Sequence, residues 1–196
     1  MRRTPQQERG QRRVQQILDA AAELFSEVGY ETATTNMIAH RANTSIGSLY
    51  QFFPNKEAIV ETLAQRSADE LARILIVPAQ PVDRVQAIEN FVDTIDHFSS
   101  EQPGFLPLLN DTLCVGSMAH IATLLQKNLR PYLQVVLPTT DAPETQNITI
   151  SLAICCVATV LCYMTTQPPE DHPMIRIELK KALTRYLCPD LPMTPP

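Results

Sequence analysis

The chain has 196 residues, with 16 Lys and Arg against 21 Asp and Glu, for a net charge of -5. Apolar residues make up 44% and charged residues 19%, which excludes a disordered chain and leaves a globular one large enough to fold without disulfides or metal. The acidic excess argues at first against a nucleic-acid partner, because phosphate binding runs on Lys and Arg.

The charge distribution reverses that argument. Residues 1–66 hold eight basic and seven acidic side chains, and the remainder eight and 14. Within residues 1–13 the balance is five Arg to one Glu. This reads as a short, flexible basic arm for a polyanion, although a solvated chain end would carry the same charge. The five Cys are an odd number without framework spacing, and no apolar leader stretch precedes them. Free thiols in a reducing cytosol are expected, hence a cytoplasmic protein. With 16 Pro and only five Gly, proline should mark the joints.

In chain order, residues 14–28 carry Val14, Ile17, Leu18, Ala21, Leu24, Phe25 and Val28 at three- and four-residue steps, the period of an amphipathic helix. Gly29 ends it. Thr34 and Thr35 open a second helix to Ala42, and Asn43 suits a left-handed turn. Ser45 caps a short third helix, 46–53. Asn55 caps a fourth, from about Lys56 to Ile76. Further helices are expected over 82–100, 105–113, 118–137 (kinked or broken at Pro131), 143–167 and 173–187. No period-two alternation places a strand. The fold class is all-α with about nine helices, ending in a frayed, Pro-rich tail over 190–196.

Two short helices joined by the turn at 43–45 have helix-turn-helix spacing. In such a motif the second helix enters the DNA major groove. Ala39 permits close helix approach, Leu49 and Phe53 face inward, and Ser48, Tyr50 and Gln51 point outward. Helix pairs in ordinary bundles share this spacing, so the pattern alone is only moderately specific.

The residues themselves are more specific. Ile17-Leu18-Asp19-Ala20-Ala21-Ala22-Glu23-Leu24-Phe25, Gly29-Tyr30, Thr34-Thr35, Ile38-Ala39, Ser45-Ile46-Gly47-Ser48-Leu49-Tyr50 and Phe53-Pro54-Asn55-Lys56-Glu57 resemble the TetR family of bacterial transcriptional regulators. The resemblance covers about the first third of the chain. It implies a homodimer with a DNA-binding domain over 14–66 and an effector-binding and dimerisation domain over 67–189. By the same resemblance, Thr35 and Asn36 open the first motif helix at the phosphate backbone. Ser45, Ile46, Gly47 and Ser48 open the recognition helix, Tyr50 touches phosphate, and Lys56 supports that contact. Gln51 or Asn36 would read adenine, and Ile46 would pack on a thymine methyl. Three features depart from the family pattern. Asn43-Thr44 stands where Gly and an apolar residue are usual, Ile46 replaces a polar residue, and Phe52 replaces a His or Tyr. The recognition helix therefore has no Lys, Arg or His, which moves weight to Lys56 and to the arm with Arg12 and Arg13.

The rest of the chain matches no motif. Residues 148–166 are 19 in a row without charge, long enough to span a membrane, but no Lys or Arg flanks them and no Trp anchors them. The TetR resemblance implies instead that the last two helices pair with a second subunit. Ser151, Ile154, Cys155, Ala158, Cys162, Ile177 and Leu183 are the expected interface. Cys155 and Cys162 share a helix face, where a thiol sensor competes with plain packing. The effector pocket is expected among Phe91, Ile95, Phe98, Phe105, Leu109, Met118, Ile121 and Tyr132, with His97 or His120 as polar handles. Such a greasy wall favours a small, largely apolar effector. The spacings of His97, Asp111, Cys114 and His120 match no metal-ligand motif, so no metal or cofactor is expected. No G-x-S-x-G, H-E-x-x-H, G-x-x-x-x-G-K or G-x-G-x-x-G occurs, and no enzyme is read from the sequence. The alternative reading is a membrane-associated or protein-interaction helical module with a degenerate helix-turn-helix.

Overall fold

A computed structural model describes residues 5–77, 83–102, 104–106, 119–135 and 142–191; side chains 5–7 and 119–125 lie outside that description. Eight α-helices are present among the described residues: α1 (Pro5–Thr32), α2 (Thr35–Arg41), α3 (Ile46–Phe52), α4 (Lys56–Ile74), α5 (Arg84–Glu101), α6 (Ala119–Gln134), α7 (Pro143–Met164) and α8 (His172–Leu187). A single 3-10 turn, Pro169–Asp171, leads into α8. The described residues contain no strand. Most of the helix expected over 105–113 falls outside the described residues.

Local chemistry sets the N-terminal boundaries. Thr34, Ser45 and Asn55 each accept a backbone N–H from the residue three positions on, at 3.2, 3.1 and 2.8 Å. Each satisfies one of the N–H groups a helix start leaves open. α1 leaves its helical path at Gly29 (φ 77°, ψ 163°) and makes one further turn to Thr32. Asn43 takes the left-handed turn at φ 48°. Of the kink or break expected at Pro131, the break does not occur, for α6 runs through it. Pro131 sits exposed in the last turn, where water can satisfy the carbonyl its missing N–H leaves open.

The basic arm is corrected as well. From Pro5 onward the segment expected as a flexible arm is helical, the first part of α1. Pro5 suits a first helical position, and the Gln, Glu and Arg that follow are good helix formers.

One core runs through the molecule. Ile17, Phe25, Ile38, Leu49, Ile59, Leu71, Ile88, Phe91, Leu133 and Ile150 are almost wholly inaccessible. Each contributes roughly 1.5–3 kcal/mol of transfer free energy. α4 belongs to both halves of the chain: its first turns pack on α1 and its length packs along α6. Ion pairs align α8 beside α5, with Arg176–Asp96 at 2.7 Å and Lys180–Asp93 at 2.6 Å. Arg84 pairs with Asp190 beyond the end of α8 at 2.7 Å. Such partly exposed pairs are worth ~0–1 kcal/mol each, so they set register more than stability.

Gly104, which follows α5, brings its backbone close against that of α1. It is buried at φ 81°, and a Cβ built there would lie 2.5 Å from the Ala22 carbonyl oxygen and 3.0 Å from its Cα. At Gly104 the chain after α5 therefore rests directly on the backbone of α1.

Candidate nucleic-acid interface and interdomain cleft

α2, the turn and α3 present one polar face. Thr35 begins α2 and Tyr50 lies on α3, and their hydroxyl oxygens are 3.1 Å apart, which ties the two helices together at the surface. Tyr50 is 49% exposed. Asn36, Ser45, Ile46, Gly47 and Gln51 are exposed beside it, and Thr35 and Ser48 are half-buried. No side chain of α3 carries charge. What the face offers a polyanion is hydroxyls, amides and the open N–H groups of a helix start. A Cβ added to Gly47 would meet nothing within 4 Å, so this glycine is not required by packing inside the protein.

The cations around this face differ in what they are free to do. Arg9 and Arg12 are exposed on the first turns of α1. That part of α1 lies against α3, for a Cβ on Gly10 would stand 3.9 Å from the ring of Phe52. Arg13 donates to the Asn43 carbonyl at 3.3 Å, steadying the motif turn. Arg41 is paired with Glu27 of α1 at 2.6 Å. The Arg41 hydrogen bond holds the Glu27 carboxyl below the usual carboxylate range. Phe52 is 37% exposed, partly covered rather than core.

Lys56 needs the main correction in this region. Its ammonium donates to the carbonyls of Tyr30 (2.7 Å), Ala33 (2.9 Å) and Glu31 (3.4 Å), and lies 4.0 Å from the centre of the Tyr30 ring. Three donors meet three carbonyls at the end of α1. Lys56 thus fastens α4 to α1 and does not stand free for phosphate. Tyr30 completes the joint by donating to Glu57 at 3.2 Å. Sequence reading missed this role. The Gly29-Tyr30 and Lys56-Glu57 pairs are both in the quoted motif, but only the fold brings them together.

The expected effector wall is placed differently from its expectation. Phe91, Ile95, Phe98, Phe105 and Tyr132 are buried against each other. Phe91 stacks on Tyr132 at 5.8 Å, and Phe98 meets Phe105 edge-on at 4.9 Å. Tyr132 donates to the Ala87 carbonyl at 3.1 Å, and burial pushes its phenol above the ordinary value. This cluster is core, except that Tyr132 also edges a hollow of about 260 Å³ beside Ile74, Leu75 and Asn90. His97 is on the outside, 3.4 Å from Glu101. Leu109 and Met118 lie outside the described residues, as do the side chains of His120 and Ile121. The large opening among the described residues is elsewhere. A cleft of about 810 Å³ runs between α1 and the ends of α5 and α7. Its walls include Phe25, Ser26 and Gly29 from α1, Ser99 and Ser100 from α5, Thr159, Cys162 and Tyr163 from α7, and Thr165 and Thr166 just past its end.

The expected dimer residues are also turned. Ile154, Ala158 and Leu183 are buried within the protomer. Ser151 bonds to Asn147 at 2.9 Å and to Gln126 at 3.3 Å, and Cys162 lines the cleft. Cys155 is half-buried, and Ile177 is exposed as expected. The exposed apolar face of α7 and α8 is instead Ile148, Leu152, Met174 and Ile177, at 46–62% exposure. α7 is long and apolar enough to cross a membrane by composition, yet one side of it packs in the core. An α-helix without charge gives no phase from which to tell its two faces.

A three-helix N-terminal unit whose second and third helices are short and polar, with an all-helical half behind it, defines the helix-turn-helix class of regulators. A family profile described as "Bacterial regulatory proteins, tetR family" matches residues 17–63, and "Tetracyclin repressor-like, C-terminal domain" matches residues 85–187. The chain belongs to the TetR family. Among curated relatives, the "HTH-type transcriptional regulator UidR" of Escherichia coli is 29% identical over 101 residues, covering 51% of this chain and 50% of that protein. HbdR of Aromatoleum is 38% identical over 74 residues, or 36% and 32% of the two chains. The chain thus spans about half the length of the first of these relatives, and less of the second. A TetR-family regulator from Streptomyces coelicolor superposes with a TM-score of 0.70 at 27% identity, over 91% of this chain and 99% of that one. Bacillus subtilis FadR, solved with stearoyl-CoA, gives 0.62 at 16% identity, over 89% and 97%, a likeness of fold alone.

Proposed function

We propose that this protein is a homodimeric, cytoplasmic transcriptional repressor that binds a palindromic operator and releases it when a small, largely apolar effector binds. The supporting observation is the exposed start of α3 with its Thr35–Tyr50 hydroxyl pair, beside the free Arg9 and Arg12. On this reading Tyr50, Ser48 and the helix N–H groups hold phosphate. Gln51, Asn36 and Ile46 meet base edges, and Arg12 supplies long-range charge. Arg13 and Lys56 position the motif. Residues 14–66 act as the DNA-binding half and 67–189 as the effector and dimerisation half. The exposed face of α7 and α8 is the dimer surface, and it would bury on the order of 1,500 Å². The protein works through binding equilibria, with no reaction of its own, no cofactor and no membrane.

Selection of bound sequences from a random DNA pool tests this reading. The expected outcome is an inverted repeat whose half-sites lie about 34–36 Å apart. Failure to enrich any sequence at low salt refutes it and favours a protein-interaction module.

A further inference from the structure

We propose that Phe52 is a positioning residue for DNA binding: its ring docks the first turns of α1 against α3 and so holds Arg9 and Arg12 beside the recognition helix. The inference rests on the regulator reading above and adds to it what fixes those cations in place.

The facing of α1 carries the argument. Gly10, Arg13 and Ile17 follow one another at three- and four-residue steps. The first two are half-buried and the third wholly buried, while Glu8, Arg9, Gln11 and Arg12 around them are exposed. The covered stripe of α1 therefore continues past the core into the arm. What covers it there is the motif. Gly10 faces the Phe52 ring, which a Cβ at position 10 would meet at 3.9 Å, an ordinary van der Waals contact. Arg13 donates to the Asn43 carbonyl at 3.3 Å. Asn43 lies in the turn that enters α3, and Phe52 is the last residue of α3, so the two contacts bracket that helix. The Phe52 ring has no hydrogen-bond donor to offer a phosphate, and its 37% exposure leaves most of it covered. Packing on the arm is the use the fold makes of it.

Charge on the docked arm is sorted. Arg9, Arg12 and Gln16 share one flank of α1, and Glu8, Gln15 and Asp19 share the other. Asp19 accepts from Gln15 and from Arg66 of α4, each at 2.8 Å, so the acidic flank lies on the side of α4. Arg9 and Arg12 stand exposed on the flank away from α4, open to a polyanion. A cation on a loose chain end loses conformational freedom each time it reaches phosphate, and one on a docked helix has lost it already. Docking through Phe52 thus strengthens DNA binding although the ring touches no DNA. Gly10 weakens the helix of the arm, because glycine in mid-helix has the most freedom to lose, so the contact with the ring has something to add.

Variants of the full-length protein test this: Phe52→Ala, Phe52→Leu, Gly10→Ala, and Arg9→Ala with Arg12→Ala. Affinity for a duplex carrying the selected inverted repeat is measured against salt. Backbone amide exchange over residues 9–16 is followed without DNA. Phe52→Ala should lower the salt slope toward that of the double arginine variant. It should also speed amide exchange in the arm about tenfold and leave exchange in α2 and α4 unchanged. Added to the double arginine variant, Phe52→Ala should weaken binding by no more than about twofold. Phe52→Leu, which keeps an apolar contact, should restore most of the slope. Gly10→Ala, whose Cβ meets the ring at an ordinary distance, should strengthen binding by up to about fivefold, the helix preference of Ala over Gly. A ring with a merely structural role would weaken binding independently of the arginines. An unchanged slope in Phe52→Ala, a loss that adds in full to that of the arginine variant, or unaltered amide exchange in the arm therefore overturns the proposal. A native protein that retains no operator refutes the regulator reading instead, and amide exchange alone then decides whether Phe52 docks the arm.

Discussion

Gly104→Ala is the sharpest single perturbation of the contact between the two halves. The new Cβ would lie 2.5 Å from the Ala22 oxygen, where an ordinary C···O contact is about 3.3 Å, so roughly 0.8 Å must open between α5 and α1. Overpacking of this kind costs ~1–3 kcal/mol. The backbone adds a second cost, since φ is 81° and an L side chain in the left-handed region costs about 1–2 kcal/mol. Together they predict ~2–5 kcal/mol, or a fall of roughly 5–15 °C in thermal midpoint at this chain length. The cheapest relief is for α1 to part from the chain at Gly104, so operator affinity should fall even without effector. Thermal unfolding and an operator titration measure both effects. The double variant Ala22→Gly with Gly104→Ala separates causes. The clash is with backbone, so removing the Ala22 methyl should rescue nothing. An unchanged midpoint with unchanged operator affinity, or rescue by Ala22→Gly, would refute the reasoning.

Three further outcomes are expected. Gly47→Ala meets no neighbour, so it should leave the fold intact or stabilise α3 by ~0.5–1 kcal/mol, yet weaken operator binding where phosphate must reach the backbone; circular dichroism melts and DNA titration on one sample decide it. Arg9→Ala with Arg12→Ala should flatten the salt dependence of DNA affinity by up to ~0.9 per lost phosphate contact, while Lys56→Met should cost stability of ~1–3 kcal/mol with an unchanged slope. A lower slope for Lys56→Met would return that lysine to the DNA. Glu27 and Asp190 are held below their ordinary values of 4.5 and 3.8 by hydrogen bonds from Arg41 and Arg84. A lowered folded pKa gives stabilisation that is full above those values and is lost as pH falls through the folded ones. Glu27→Gln with Asp190→Asn should therefore unfold earlier than the native protein at pH 6 and converge with it in strong acid, as followed by denaturant melts across pH. Parallel curves at every pH would refute that assignment.

The parts legible in the sequence were those fixed by local chemistry. Thr34, Ser45 and Asn55 are caps because a short polar side chain before an apolar run has one good use, and all three accept the expected bond. Gly29 and Asn43 were readable for the same reason. Facing was readable where polar residues alternate with apolar ones, as in α3, and unreadable in α7. There the predicted dimer residues Ile154 and Ala158 turned into the core, while Ile148 and Leu152 face out. The aromatic residues of the expected pocket were ambiguous for a different reason: an aromatic in a filled core and one beside a cleft are the same letter. Lys56 and Gly104 act through partners 23 to 26 and 82 positions away, and nothing in their immediate neighbours states that distance.

The outward face of α7 carries a consequence for gene dosage. On the proposed dimer reading, the exposed Ile148 and Leu152 would be covered by a second subunit, so assembly and stability would rise together with the number of copies in the cell. At low copy number the dimer fraction, and with it operator occupancy, would then climb faster than in proportion to synthesis. The proposed repressor would thus be weak below a threshold of its own abundance.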